Sequence, residues 1–204
     1  LYMSYNTKNT KSNLRNLSFE EFCVDLSKQV IPIEKQNQNR EIIKEFIRSK
    51  VRVPITIDNF DTVLDTDVLM TMLLLYDTYF FDEKLMTFSR LNKCSITVCF
   101  GGRCTKTAGR CYLNNSKKCY KIELAPLTFK NALKKHGEHS SGGVPCNDVL
   151  TCIMLIFEHE MVHALIGCFC NSKGYTDEGE GLWRGATNTK SCLLYTSPSP
   201  RDDE

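Results

Sequence analysis

The stretch Leu150 to Cys170, LTCIMLIFEHEMVHALIGCFC, constrains this chain more than any other part of it. Ile153, Leu155, Ile156 and Phe157 precede its polar centre and Ala164, Leu165 and Ile166 follow it, and a helix apolar almost all round has to be buried. Three ionisable groups interrupt the run: His159, Glu160 and His163. On a helix, a spacing of four residues sets two imidazoles one turn apart on one face, and ionisable groups in a buried helix need partners. One metal ion shared by both rings supplies that partner. Zinc takes neutral imidazole nitrogen well and lowers the pKa of a bound water toward neutrality, while an adjacent carboxylate can accept the water's proton and pass it to a leaving amine. The pattern therefore points to zinc on His159 and His163, with Glu160 as the catalytic base of peptide-bond hydrolysis. The competing reading is a polar cluster satisfied within the protein, with no metal.

The 204 residues, 42% hydrophobic and 25% charged, suffice for one globular domain with some appended structure. No apolar run is long enough to span a bilayer, and the polar opening LYMSYNTKNTKSN does not read as a secretory signal, so a soluble, intracellular protein without a membrane partner is expected. Eleven cysteines in strand-like and helical runs, without a signal, read as free thiols of a reducing compartment rather than a disulfide framework. No Cys-x-x-Cys pair occurs, which excludes a zinc ribbon within the sequence.

In chain order, residues 1–16 read as a disordered lead. Leu17-Ser18-Phe19-Glu20-Glu21-Phe22 offers a serine cap, a glutamate three residues on and an apolar staple, predicting a helix to about Val30. A second helix, about Glu34 to Ser49, carries Ile42, Ile43, Phe46 and Ile47 at helical spacing; together the two form an N-terminal segment, 17–65, with no evident chemistry. Thr66 is the expected cap of a helix from Asp67 to about Phe81. Ser95 to Phe100 alternates as a strand, Gly101-Gly102 offers a turn, and Ala108 to Leu113 and Cys119 to Leu124 continue what reads as a small antiparallel sheet closed by Pro126. The Gly- and Ser-rich stretch from His136 to Pro145 is expected as a loop leading to a cap at Asn147 and the histidine helix.

Charge is uneven along this path. From Lys84 to Lys135 twelve basic residues stand against Glu123 alone, a bias that attracts polyanions but equally suits a lysine-rich soluble surface. Phe100 and Tyr112 near the same strands would suit single-stranded nucleic acid.

Taken in series, LLLYDTYFFDEKL, ITVCF, CTKTAGRCYL, YKIELAPL and LIFEHEMVHAL resemble the SprT-like, or Spartan-type, metalloprotease domain over about Thr66 to Asn188. The resemblance implies an α+β, zincin-like fold in which the histidine helix packs on a small antiparallel sheet, preceded by helices, and a domain over 66–191 truncated at its C-terminus. It also implies a Zn2+ cofactor, a protein substrate and association with single-stranded or structured DNA, since the best-known members digest proteins crosslinked to DNA. Arg103, Lys106, Arg110, Lys117, Lys118 and Lys121 then become the candidate DNA surface, and a nucleus or a viral factory the expected location. The wording GEHSSGGVPCNDVLTC is similar to versions in large DNA viruses.

The family takes its third zinc ligand from a histidine after the helix, in a His-Gly pattern. In the matching stretch, DEGEGLW, Glu180 stands in that place, and since carboxylate is an accepted zinc ligand the resemblance assigns His159, His163 and Glu180 to the metal. The alternatives are an altered position, or a non-catalytic relative: a nucleic-acid-binding module or pseudoprotease whose metal site is structural or lost. A metzincin is excluded, because Ile166 and Phe169 occupy the positions where that motif has glycine and histidine. Cys192 to Asp202, CLLYTSPSPRD, reads codon for codon as the adapter of a transposase-made sequencing library, so natural sequence is expected to stop near Ser191 and 192–204 to be artefact.

Overall fold

A computed structural model describes residues 31–91, 93–102, 107–114, 119–136, 140–141, 144–146 and 148–169. The leading segment with its expected first helix, Arg103, Lys106, Lys117, Lys118, Asn147, Glu180 and the stretch 192–204 lie outside these residues.

Helix α1 (Ile33–Val51) begins after Pro32, whose fixed backbone suits a helix entrance, and ends where Arg52 turns left-handed at φ 61 and closes onto the Arg48 carbonyl. It buries Asn39, Ile43 and Ile47, one turn apart. A single turn, α2 (Phe60–Val63), leads to α3 (Thr66–Phe81), whose cap is Asp65 rather than Thr66: the Asp65 carboxylate accepts the Val68 N–H at 2.8 Å. Helix α4 (Lys84–Leu91), of eight residues, was not anticipated from its pattern. Its first N–H groups are taken by the buried Asp77 carboxylate of α3, at 2.9 Å from Leu85 and 3.1 Å from Met86.

The strands β1 (Ser95–Phe100), β2 (Gly109–Asn114) and β3 (Cys119–Leu124) fall where the alternation put them, but the sheet is mixed rather than antiparallel. Its order is β1-β3-β2, with β1 parallel to β3 and β2 antiparallel to it. Gly101-Gly102 therefore does not fold β1 back onto β2; β1 ends and β2 begins on opposite sides of the C-terminal end of β3. There the Gly101 N–H donates to the Leu124 carbonyl at 2.9 Å and the Ala125 N–H to Ala108 at 2.8 Å. Gly101 is needed because a Cβ would run into the Glu123 carboxylate. Ile96 and Val98 of β1 and Ile122 and Leu124 of β3 are buried with the helices, while Thr97, Cys99, Lys121 and Glu123 belong to the other face by the period of two.

Pro126 ends the sheet by opening a further helix, α5 (Pro126–His136). Part of the stretch expected as a loop is a small antiparallel ladder, β4 (Ser140–Ser141) with β5 (Val144–Pro145). Helix α6 (Val149–Phe169) follows, with the Asp148 carboxylate accepting the Thr151 N–H at 2.8 Å in the capping role expected of Asn147.

The fold is thus α+β, with α6 against β2 and β3 and against α3 through Tyr76 and Phe157, whose rings lie 5.3 Å apart. Ile43 and Ile47 of α1 join the same core as Phe157 and Ile122. No helix among the described residues is long and apolar enough to cross a membrane, and Cys94, Cys99, Cys111, Cys119, Cys146 and Cys152 carry free thiols.

Candidate functional site

Between Val149 and Leu165 every residue of α6 is buried except Thr151, Leu155, His159 and His163, which are half-buried at successive intervals of four. This line drifts slowly round the helix and is the side of α6 nearest to solvent. The expected ligands are the two polar rings on it. Their Nε2 atoms lie 3.2 Å apart and the rings meet edge to face, centroids 4.9 Å apart. Two nitrogens held by one tetrahedral zinc, each about 2.0–2.1 Å from the ion, would stand about 3.3 Å apart, so the pair fits a shared metal. The same separation also suits an N–H···N hydrogen bond in which one ring donates.

Glu160 is 6% exposed and turned toward the start of β2. Gly109 makes room for it: a Cβ there would meet Glu160 Cγ at 2.8 Å, its Oε1 at 3.0 Å and Ile156 Cγ2 at 3.0 Å. Two positions further along the same side of β2, burial and then the nearby Glu160 charge push the Cys111 thiol well up, so it stays protonated. The Glu160 side chain thus sits against the backbone of β2 at Gly109. Among the described residues no third histidine, cysteine or carboxylate joins the pair to form a metal-holding group; Glu180, which the resemblance assigned, is outside them.

Immediately before His159, Glu158 is 3% exposed and fully engaged. Arg40 of α1 grips it with two parallel bonds, Nε to Oε1 at 2.8 Å and Nη2 to Oε2 at 2.9 Å, and the Tyr76 hydroxyl of α3 donates to Oε1 at 2.6 Å. Burial works to lower the Arg40 pKa, but Glu158 outweighs it and raises it; burial and then the Glu158 charge raise Tyr76 well above its usual range. Sequence reading missed all three residues. Arg40 and Tyr76 are ordinary helix residues, and their meeting with Glu158 is visible only once α1, α3 and α6 are packed.

Of the candidate DNA-facing cations, Arg110 and Lys121 are described. Both flank the Tyr112 ring, at 4.9 and 6.0 Å from its centroid, and both pair with Glu123, at 3.2 and 3.7 Å. Burial would raise the Glu123 carboxyl, but the Tyr112 hydroxyl at 3.0 Å, Arg110 and Lys121 hold it below its ordinary value. The only acid in the basic stretch is therefore placed between the two described candidate cations, Arg110 and Lys121.

No family model, curated protein or solved structure matches the chain.

Proposed function

We propose that this chain is a zinc-dependent metallopeptidase of the SprT-like kind, zincin-like in arrangement, acting on proteins bound or crosslinked to DNA. What supports the reading most is the separation of 3.2 Å between the His159 and His163 nitrogens on the half-buried line of α6, with Glu160 the next residue. His159 and His163 would hold the ion through Nε2, and Glu180 would complete the set as the third ligand. Zinc bound there would supply a water acidic near neutral pH and a Lewis acid for the scissile carbonyl.

With the ion bound, the Glu160 carboxylate would be the group to accept a proton from the attacking water and to return it to the leaving nitrogen. Its burial beside Gly109 limits competition from bulk water and fixes its rotamer. Among the described residues β2 is an outer strand of the sheet, and its start packs on α6 at Glu160 and Ile156, so an extended peptide pairing along that strand would run beside the candidate base. On the other face, Arg110 and Lys121, each with about a third of its side chain exposed (36% and 37%), offer cations to phosphate while Glu123 keeps them ordered.

The second reading is a nucleic-acid-binding module or pseudoprotease, favoured by the fit of the same nitrogen separation to a simple ring-to-ring hydrogen bond. Glu160→Gln separates the two. A peptidase loses cleavage of a DNA-bound protein by roughly a hundredfold or more while its zinc and DNA affinities stay unchanged; a wild-type chain that neither takes up zinc nor cleaves leaves only the binding module.

A further inference from the structure

Ile153, Ile156 and Glu160 follow one another at intervals of three and four, so they share one side of α6. That side faces the start of β2: a Cβ placed on Gly109 would lie 2.8 Å from Glu160 Cγ and 3.0 Å from Ile156 Cγ2. The candidate base and the residue one turn before it thus meet the same piece of strand. Beside that point lies a hollow of about 200 Å³, half open to solvent, with Ile153 and Ile156 as one wall and Ala108, the neighbour of Gly109, in its lining. A second wall is aromatic. Phe60 of α2 meets Phe100 at the end of β1 and Phe129 of α5 edge to face, with centroids 5.6 and 5.2 Å away. Lys130, paired with Asp61 at 2.8 Å, lies over the Phe60 ring at 5.2 Å and holds it in place.

Every residue lining the hollow is apolar. The backbone carbonyls beside it already accept N–H groups, Ala108 from Ala125 at 2.8 Å and Leu124 from Gly101 at 2.9 Å. A charged or polar group entering would lose its water without gaining a partner, so the hollow selects an apolar occupant. Size and place narrow the choice. Small-molecule sites run to about 300–1,000 Å³, whereas this space, part of it open mouth, suits one aliphatic side chain. An extended peptide turns alternate side chains to the same face, and a peptide paired along β2 would turn one of them toward the hollow beside Glu160.

We infer that this hollow is the subsite for an aliphatic side chain of the peptide substrate, at a residue flanking the bond that is cut, and that Ala108 and Ile156 set its size. The inference deepens the peptidase reading above and rests on it.

The test uses the full chain and has two readouts. In the first, N-acetyl-leucine amide and N-acetyl-glycine amide are titrated while the isoleucine methyl resonances are followed by NMR; the leucine compound is expected to move Ile153 and Ile156, and the glycine compound to leave them in place. In the second, the Zn2+-loaded chain cuts a mixed peptide library, and leucine, valine or methionine is expected at one flanking position, with kcat/KM for leucine there at least tenfold above glycine. Ala108→Leu fills the hollow and is expected to abolish the methyl shifts and to lower the leucine-to-glycine ratio at least tenfold. Ile156→Val widens it by one methyl and is expected to raise the phenylalanine-to-leucine ratio about threefold or more. An active wild type with no flanking preference, or unchanged ratios in both folded variants, would overturn the subsite and leave the peptidase reading standing. Methyl shifts with leucine in a Zn2+-loaded chain that cuts no peptide would overturn the peptidase reading, and the substrate role of the hollow with it.

Discussion

At the scale of single residues, the candidate site depends on Gly109 as much as on the motif it faces. The added methyl of Gly109→Ala would stand 2.8 Å from Glu160 Cγ and 3.0 Å from Ile156 Cγ2, and the side chain able to yield is Glu160. On the peptidase reading proposed above, Glu160 is the catalytic group, and since displacing such a group by about 1 Å can cost about a hundredfold in rate, Gly109→Ala is expected to lower kcat/KM by roughly that factor. On the same reading the histidines set the zinc affinity, which should stay within about threefold of wild type in a metal titration. Parallel losses of metal and rate would instead place Gly109 among the residues that shape the histidine pair. The motif itself was readable because its four-residue spacing is local. The glycine was not, since its partner is 51 positions away in the sequence.

At the scale of elements, the junction of α3 and α4 carries a pH dependence. Burial, opposed by the Leu85 and Met86 N–H groups and aided by Glu83, raises the Asp77 carboxyl to about 6 from an ordinary 3.8. The folded chain then holds this proton more tightly than the unfolded chain. The contribution is greatest below about pH 4 and is lost as pH rises through about 6, amounting to on the order of 2–3 kcal/mol at most. Glu123 and Asp148, held below their usual values, act with the opposite sign and only at more acid pH. Melting of wild type from pH 4.5 to 7 should thus carry a downward component that Asp77→Asn lacks, although the variant starts about 1 kcal/mol lower for want of a second acceptor. Identical pH slopes for the two proteins would show that Asp77 does not titrate in this range.

At the scale of the whole molecule, α1 belongs to the body of the protein. Ile43 and Ile47 are fully buried in the core that contains Phe157 and Ile122, and Arg40 reaches across 118 positions to Glu158. Ile43→Ala is expected to cost about 2–5 kcal/mol and to lower one cooperative transition, reported alike by sheet and helix signals. A two-step melt in which the sheet and α6 outlast α1 would make α1 an appendage.

Local pattern was enough to place the histidine helix, the three strands of the larger sheet and most of α1 and α3, because period and capping chemistry act within a few residues, but not the short β4 and β5. Even there the caps moved by one, to Asp65 and Asp148, since neighbouring polar residues compete for the same N–H groups. Short α4 and α5 escaped notice: α4 has too few turns for a period to show, and Pro126 closes a strand as naturally as it opens a helix. Tertiary structure alone decided that β1 runs parallel to β3, that Glu123 gathers Arg110, Tyr112 and Lys121, that Gly109 admits Glu160, and that Arg40 and Tyr76 meet at Glu158. Apart from Lys121 with Glu123, which share β3, those contacts join residues from separate elements, and local patterning states which face of an element is apolar without stating what will cover it.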